Sequence, residues 1–127
     1  MKKILLICLI LLASNGLALA VSPWAGTYQG TVVERAGKKA LDTATVQVAV
    51  FNNGTVIVDT VAGTTLVSIS YGTVAPNGSF SVQTANAYEV IPITGTVKRV
   101  GGSVLLTYAY TASGAIIIGT GTLPRQH

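Results

Sequence analysis

Between Trp24 and Leu123 the chain has no window in which apolar residues recur with helical spacing, whereas Thr, Val, Ile and Tyr abound and a Gly-containing turn signal recurs every eight to twelve residues. Alternation without helical periodicity, cut by turn residues at that interval, specifies an all-β chain. Eight strands are expected, over about 25–35, 43–51, 55–62, 64–74, 79–85, 88–100, 103–111 and 115–123. Every connection is short, so strands adjacent in sequence are expected to pair in space as an antiparallel up-and-down meander. An even number of such strands returns the last beside the first, antiparallel to it. The outward positions are mostly Thr, Ser and Ala with few charges to protect an open edge, so closure into a small β-barrel is the expected architecture.

The turn residues predict register. A three-residue Asn52-Asn53-Gly54 loop pairs Val50 with Val56 and Val48 with Val58, whereas a two-residue Asn53-Gly54 turn sets Val48 against Asp59 and buries a carboxylate. The longer loop is therefore expected, with Ala49, Ile57 and Asp59 outward. Two-residue turns at Gly101-Gly102 and Ser113-Gly114 pair Val97 with Leu106, Gly95 with Tyr108 and Ile93 with Tyr110, then Tyr110 with Ile117, Tyr108 with Gly119 and Leu106 with Gly121. Tyr108 then has glycine on both neighbouring strands, where an aromatic ring can cover bare backbone in a strongly curved sheet. Ala75-Pro76-Asn77-Gly78 is a further turn, expected to bring Val67, Ile69 and Tyr71 to the face of Phe80 and Val82. Pro92 needs a sheet edge or a bulge.

Ahead of the strands, Lys2 and Lys3 precede ten apolar residues, Ile4 to Ala13, and Ala18-Leu19-Ala20 supplies small residues at −3 and −1 of a cleavage site. Residues 1–20 therefore read as a signal peptide cleaved after Ala20, and 21–127 as one domain that is exported to the periplasm or the extracellular space. The apolar run is too short for the roughly 20 residues of a transmembrane helix. Cys8 stands too early for a lipoprotein signal, with bulky Ile7 before it.

Removing residues 1–20 leaves 107 residues, takes out Cys8, the sole cysteine, and sets six cations against four carboxylates. Half of the net charge of +4 thus belongs to the leader and the rest to a few scattered cations, and nucleic acid is not an expected partner. No disulfide can form within the remaining chain, so packing alone has to hold it.

The opening Trp24-Ala25-Gly26-Thr27-Tyr28-Gln29-Gly30-Thr31 and the closing Gly119-Thr120-Gly121-Thr122-Leu123-Pro124-Arg125 resemble the two ends of small exported bacterial β-barrels without a characterised activity. They also weakly resemble the calycin layout of lipocalins and avidins. That resemblance implies a barrel-end stack of Trp24 under Arg125. It departs from the lipocalin Gly-x-Trp order and lacks the tryptophans of an avidin biotin site, so it implies a barrel more than a ligand.

Chemistry-bearing residues are few. With no cysteine after the leader and one histidine, His127 at the chain end, metal sites of the usual nitrogen and sulfur types and Ser–His or Cys–His nucleophiles lack their residues. No cofactor or metal is expected. Glu34, Asp42, Asp59 and Glu89 are the carboxylates; Glu34 beside Arg35, Asp42 in a polar connection and outward Asp59 suit solubility and surface pairing, and Glu89 can face either way. Gly37-Lys38-Lys39 lacks the spacing of a phosphate loop and reads as a charged hairpin tip. The Thr-x-Thr pairs at Thr43, Thr94 and Thr120 recur too irregularly for an ice-binding array. An outer-membrane barrel shares export and alternation, but a terminal aromatic and aromatic girdles are missing.

Tyr28, Tyr71, Phe80, Tyr108 and Tyr110, with Trp24, are the side chains able to line an apolar ligand site if the barrel has a cavity; otherwise they fill it. The expectation is a non-enzymatic binding module of the cell envelope, for a small apolar ligand or an envelope protein. A structural, self-associating protein that uses its Thr-rich outer face, with Leu105, Ile116 and Ile118, is the alternative, and a homo-oligomer would follow from it. An outer-membrane barrel is the second alternative.

Overall fold

The computed structural model describes residues 21–62, 64–85 and 90–126. The expected leader, Tyr88, Glu89 and His127 lie outside the described residues.

Eight antiparallel strands in sequence order close into a barrel. They are β1 (Gly26–Ala36), β2 (Lys39–Val50), β3 (Thr55–Ala62), β4 (Thr65–Val74), β5 (Ser79–Ala85), β6 (Val90–Val100), β7 (Ser103–Ala112) and β8 (Ala115–Pro124). Closure is made by β1 and β8, with Val33 opposite Thr120 and Glu34 opposite Gly119. The largest shift from expectation is β2, which begins at Lys39 because Gly37 takes a left-handed φ of 62° and turns the chain in two residues. Asp42 is therefore inside a strand, directly opposite Glu34.

The β2–β3 register is the expected one, Val50 on Val56 and Val48 on Val58. A three-residue loop produces it: Phe51 N–H donates to Thr55 O at 2.8 Å, Gly54 has φ 87°, and Asn53 Oδ1 accepts from Thr55 N–H at 2.9 Å. The β4–β5 connection repeats this construction, which overturns the expected facing of β4. Ala75 N–H donates to Ser79 O at 2.8 Å, Gly78 has φ 94°, and Asn77 Oδ1 accepts from Ser79 N–H at 2.9 Å. The loop proper is Pro76-Asn77-Gly78, one residue shorter than a loop over 75–78. Val74 consequently pairs with Phe80 and Gly72 with Val82. One residue of register exchanges the two faces of a strand. Ser70, Gly72 and Val74 point inward, and Val67, Ile69 and Tyr71 are exposed.

The β6–β7 and β7–β8 ladders follow the expected pairs, with one exception. Ile93 does not pair with Tyr110, because the β6–β7 ladder stops at Thr94 and Ala109. Pro92 lies beyond that point, still paired to Gln83 of β5 but free on its β7 side, where its missing N–H leaves no ladder bond unmade. The β6–β7 ladder thus ends short of both strand ends, on the side of the barrel where the described residues border a cavity.

The opposite end is filled. Tyr28, Val32, Val48, Val50, Val56, Val104 and Leu123 are buried, and Trp24 lies beneath them with its indole N–H donating to Pro76 O at 3.0 Å. The remaining gap among these side chains is only about 30 Å³ and is lined by apolar groups and Tyr28. That is about the share of one water molecule, with too few polar partners to hold it.

Candidate functional site

The open half of the barrel contains a cavity of about 290 Å³. Its apolar wall is Ala44, Val58, Phe80, Ile91, Ile93 and Leu106, and its polar groups are Glu34, Asp42, Tyr108, Tyr110 and the hydroxyls of Thr60, Ser68, Ser70 and Thr84. Period-two alternation explains why these side chains share one interior. Tyr28, Gly30, Val32 and Glu34 are successive inward positions of β1, as are Leu106, Tyr108 and Tyr110 of β7.

The polar groups form two walls. On one, Tyr108 Oη donates to Glu34 Oε2 at 2.5 Å and Tyr110 Oη donates to Glu34 Oε1 at 2.8 Å. The two rings stack, with centroids 6.3 Å apart and planes at 12°. Tyr108 reaches Glu34 across β8, because Glu34 and Tyr108 each pair with Gly119 from opposite sides. Its ring lies directly on that glycine; a Cβ built there would fall 2.5 Å from Tyr108 Cε2. Gly95, the other glycine beside Tyr108, is covered by the Phe80 ring instead, whose Cζ would stand 2.7 Å from a Cβ there. On the opposite wall, Ser70 and Thr84 pair across β4 and β5 and their hydroxyls hydrogen-bond to each other. Ser70 is the one buried polar residue among those described.

Burial, then the hydrogen bond and charge of Glu34, pushes the hydroxyl pKa of both Tyr108 and Tyr110 well above the ordinary tyrosine value. Both are therefore neutral donors at physiological pH. They are not bases.

Of the residues expected to line a ligand site, Phe80, Tyr108 and Tyr110 border this cavity. Tyr28 does not: it is 2% exposed in the filled half and donates its hydroxyl to Trp24 O at 2.7 Å. Tyr71 does not either, since the three-residue β4–β5 loop turns it outward, where its hydroxyl accepts from Gln83 Nε2 at 3.1 Å. The barrel-end stack also differs from expectation. The guanidinium over Trp24 is that of Arg99 from β6, 4.9 Å from the ring centroid. Arg125 bridges to Tyr28 and donates to Ala25 O at 3.1 Å, its guanidinium lying against the bare Cα of Gly26. Trp24 reaches the β4–β5 turn, where its indole N–H meets Pro76 O, and its ring there lies against Arg99 of β6.

Glu34 was expected as a surface charge, and its half-buried place beneath two tyrosines is what the residue types concealed. The inward alternation Tyr28-Gly30-Val32 was a signal that could have shown it. Among the described residues, no three His, Cys, Asp or Glu side chains gather as metal ligands. No family model matches the chain, and no curated protein is significantly similar to it.

Proposed function

We propose that the protein is a non-enzymatic binding module that takes a small, largely apolar molecule into the open half of its barrel. The observation that carries this reading is the contrast between the two halves of one interior: packed side chains fill one, and the other keeps about 290 Å³. Leaving space in a domain of this size forgoes packing contacts, and a cavity near the lower end of ligand-site volumes, apolar with a few convergent polar groups, is the usual form of a small-molecule site. With a cleaved leader the module would work in the cell envelope.

The carboxylates favour binding over hydrolysis. Glu34 and Asp42 are directly opposite on adjacent strands, so they stand side by side on one wall. Two-carboxylate hydrolysis needs the groups on either side of the reacting bond. A water-facing protein is favoured over an outer-membrane barrel because polar Thr27, Gln29, Gln47, Thr94 and Lys98 stand among the outward residues, where a lipid-facing band would be apolar. Self-association keeps one specific support: Ile116 and Ile118 are exposed on β8, and Ile69 and Tyr71 on β4.

Native mass spectrometry of the protein released from its host envelope without refolding tests the reading. The expected result is a monomer with a reproducible small adduct that is lost on denaturation and in Tyr108→Ala, and is kept in Tyr71→Ala. A bare oligomer would overturn it and point to the outer face.

A further inference from the structure

We infer that the ligand of this cavity is an organic cation, an amine whose apolar body lies against the Val58, Ile93 and Leu106 wall and whose ammonium group meets Glu34. The inference rests on the binding-module reading and names the chemistry of its ligand.

The hydrogen bonds at the mouth leave acceptors and no donors on the Glu34 wall. Tyr108 and Tyr110 each have one hydroxyl proton, and both protons are already given to Glu34. Their oxygens keep lone pairs only, and each carboxylate oxygen of Glu34, having accepted one bond, retains capacity for another. Asp42 stands opposite Glu34 across the β1–β2 ladder; its Oδ1 accepts from Thr43 N–H at 2.8 Å and its second oxygen adds further acceptor capacity. A ligand that brings an acceptor or an anion meets only lone pairs and negative charge here. One that brings several N–H donors and a positive charge finds a partner for each.

Charge leads to the same class. Two carboxylates on directly opposed cross-strand positions repel, and a cation between them relieves the repulsion. None of the described residues bordering the cavity is cationic. Arg35 and the lysines of the β1–β2 hairpin tip, Lys38 and Lys39, are exposed and outside the lining. The stacked Tyr108 and Tyr110 rings add negative faces suited to an ammonium group. The rest of the lining fits an apolar body, and the Ser70–Thr84 hydroxyls give the far wall a neutral polar point.

The test compares three probes that share one apolar chain and differ in the head: n-hexylammonium, n-hexanol and hexanoate. Each is titrated into the protein while the Tyr108 and Tyr110 ring resonances are followed by NMR. Hexylammonium is expected to shift them saturably at a concentration about tenfold below hexanol, the effect of one charge-assisted hydrogen bond, and hexanoate is expected to leave them unmoved. Glu34→Gln should raise half-saturation by hexylammonium about tenfold and leave hexanol unchanged. Asp42→Asn, at an exposed position, should weaken hexylammonium in the same direction, and decides the matter if Glu34→Gln does not fold. Equal half-saturation by hexylammonium and hexanol, or an unchanged amine response in Asp42→Asn, overturns the cation inference while the binding-module reading stands. No response to any of the three overturns both.

Discussion

Gly119→Ala adds a single methyl group, and the structure sets both the size and the sign of its effect. A Cβ at this position would lie 2.5 Å from Tyr108 Cε2 and closer still to Cζ and the hydroxyl. The ring cannot slide aside freely, because it is hydrogen-bonded to Glu34 at 2.5 Å and stacked on Tyr110. Swinging it away forfeits a hydrogen bond to a charged group, roughly 1.5–3 kcal/mol, and part of an aromatic pair, roughly 0.5–1.5 kcal/mol. Keeping it in place means shifting β8, an overpacking cost of about 1–3 kcal/mol. The cheaper route is taken, so the loss is about 2 kcal/mol. Urea unfolding followed by Trp24 fluorescence reads this globally, since Trp24 is the only tryptophan and sits at the other end of the barrel. With a urea slope of about 1–3 kcal/mol per molar, the midpoint should fall by about 0.7–2 M. In a Tyr108→Leu background no ring lies on Gly119, and the same substitution should cost far less or stabilise by up to about 1 kcal/mol, because alanine loses less backbone entropy than glycine. Equal destabilisation in both backgrounds would refute the account.

Two further outcomes follow from the same interior. The raised hydroxyl pKa values of Tyr108 and Tyr110 mean that the unfolded chain releases protons above about pH 10 that the folded chain retains. Stability should be whole below that pH and fall as pH rises past it, and the double variant Tyr108→Phe, Tyr110→Phe should show a flatter alkaline limb in thermal unfolding across pH 8–12. Ser70→Ala leaves the Thr84 hydroxyl without its partner and should cost about 1–2 kcal/mol in urea unfolding, whereas Ser70→Ala combined with Thr84→Val should recover most of that loss.

The β4 strand shows how much of this interior was legible from residues alone. Asn53-Gly54 and Asn77-Gly78 build the same three-residue loop, but a buried Asp59 was the penalty that selected the register of the first. No charge stood in β4 or β5 to reject the wrong register of the second, where Val67, Ile69 and Tyr71 made an apolar face as plausible as the true one of Ser70, Gly72 and Val74. Tyr71 was misplaced for that reason. Tyr108 and Gly119 were paired correctly because a two-residue turn counts outward without ambiguity.

Residue order alone dictates that the chain is all-β, that eight strands follow one another as a meander, and which residues meet across most hairpins. Those are local properties: side-chain alternation, turn chemistry and the counting of residues from a turn. Long-range packing, by contrast, sets that one half of the interior is packed while the other keeps a cavity, that Arg99 and not Arg125 covers Trp24, and that Glu34 meets Tyr108 and Tyr110. Each of these depends on the β1–β8 seam or on a path across the barrel floor. Glu34 and Tyr108 are 74 residues apart and become neighbours only through the register with which the first and last strands close. No turn joins those strands, so no residue count along the chain could set that register; it follows from the fit of the whole closed interior.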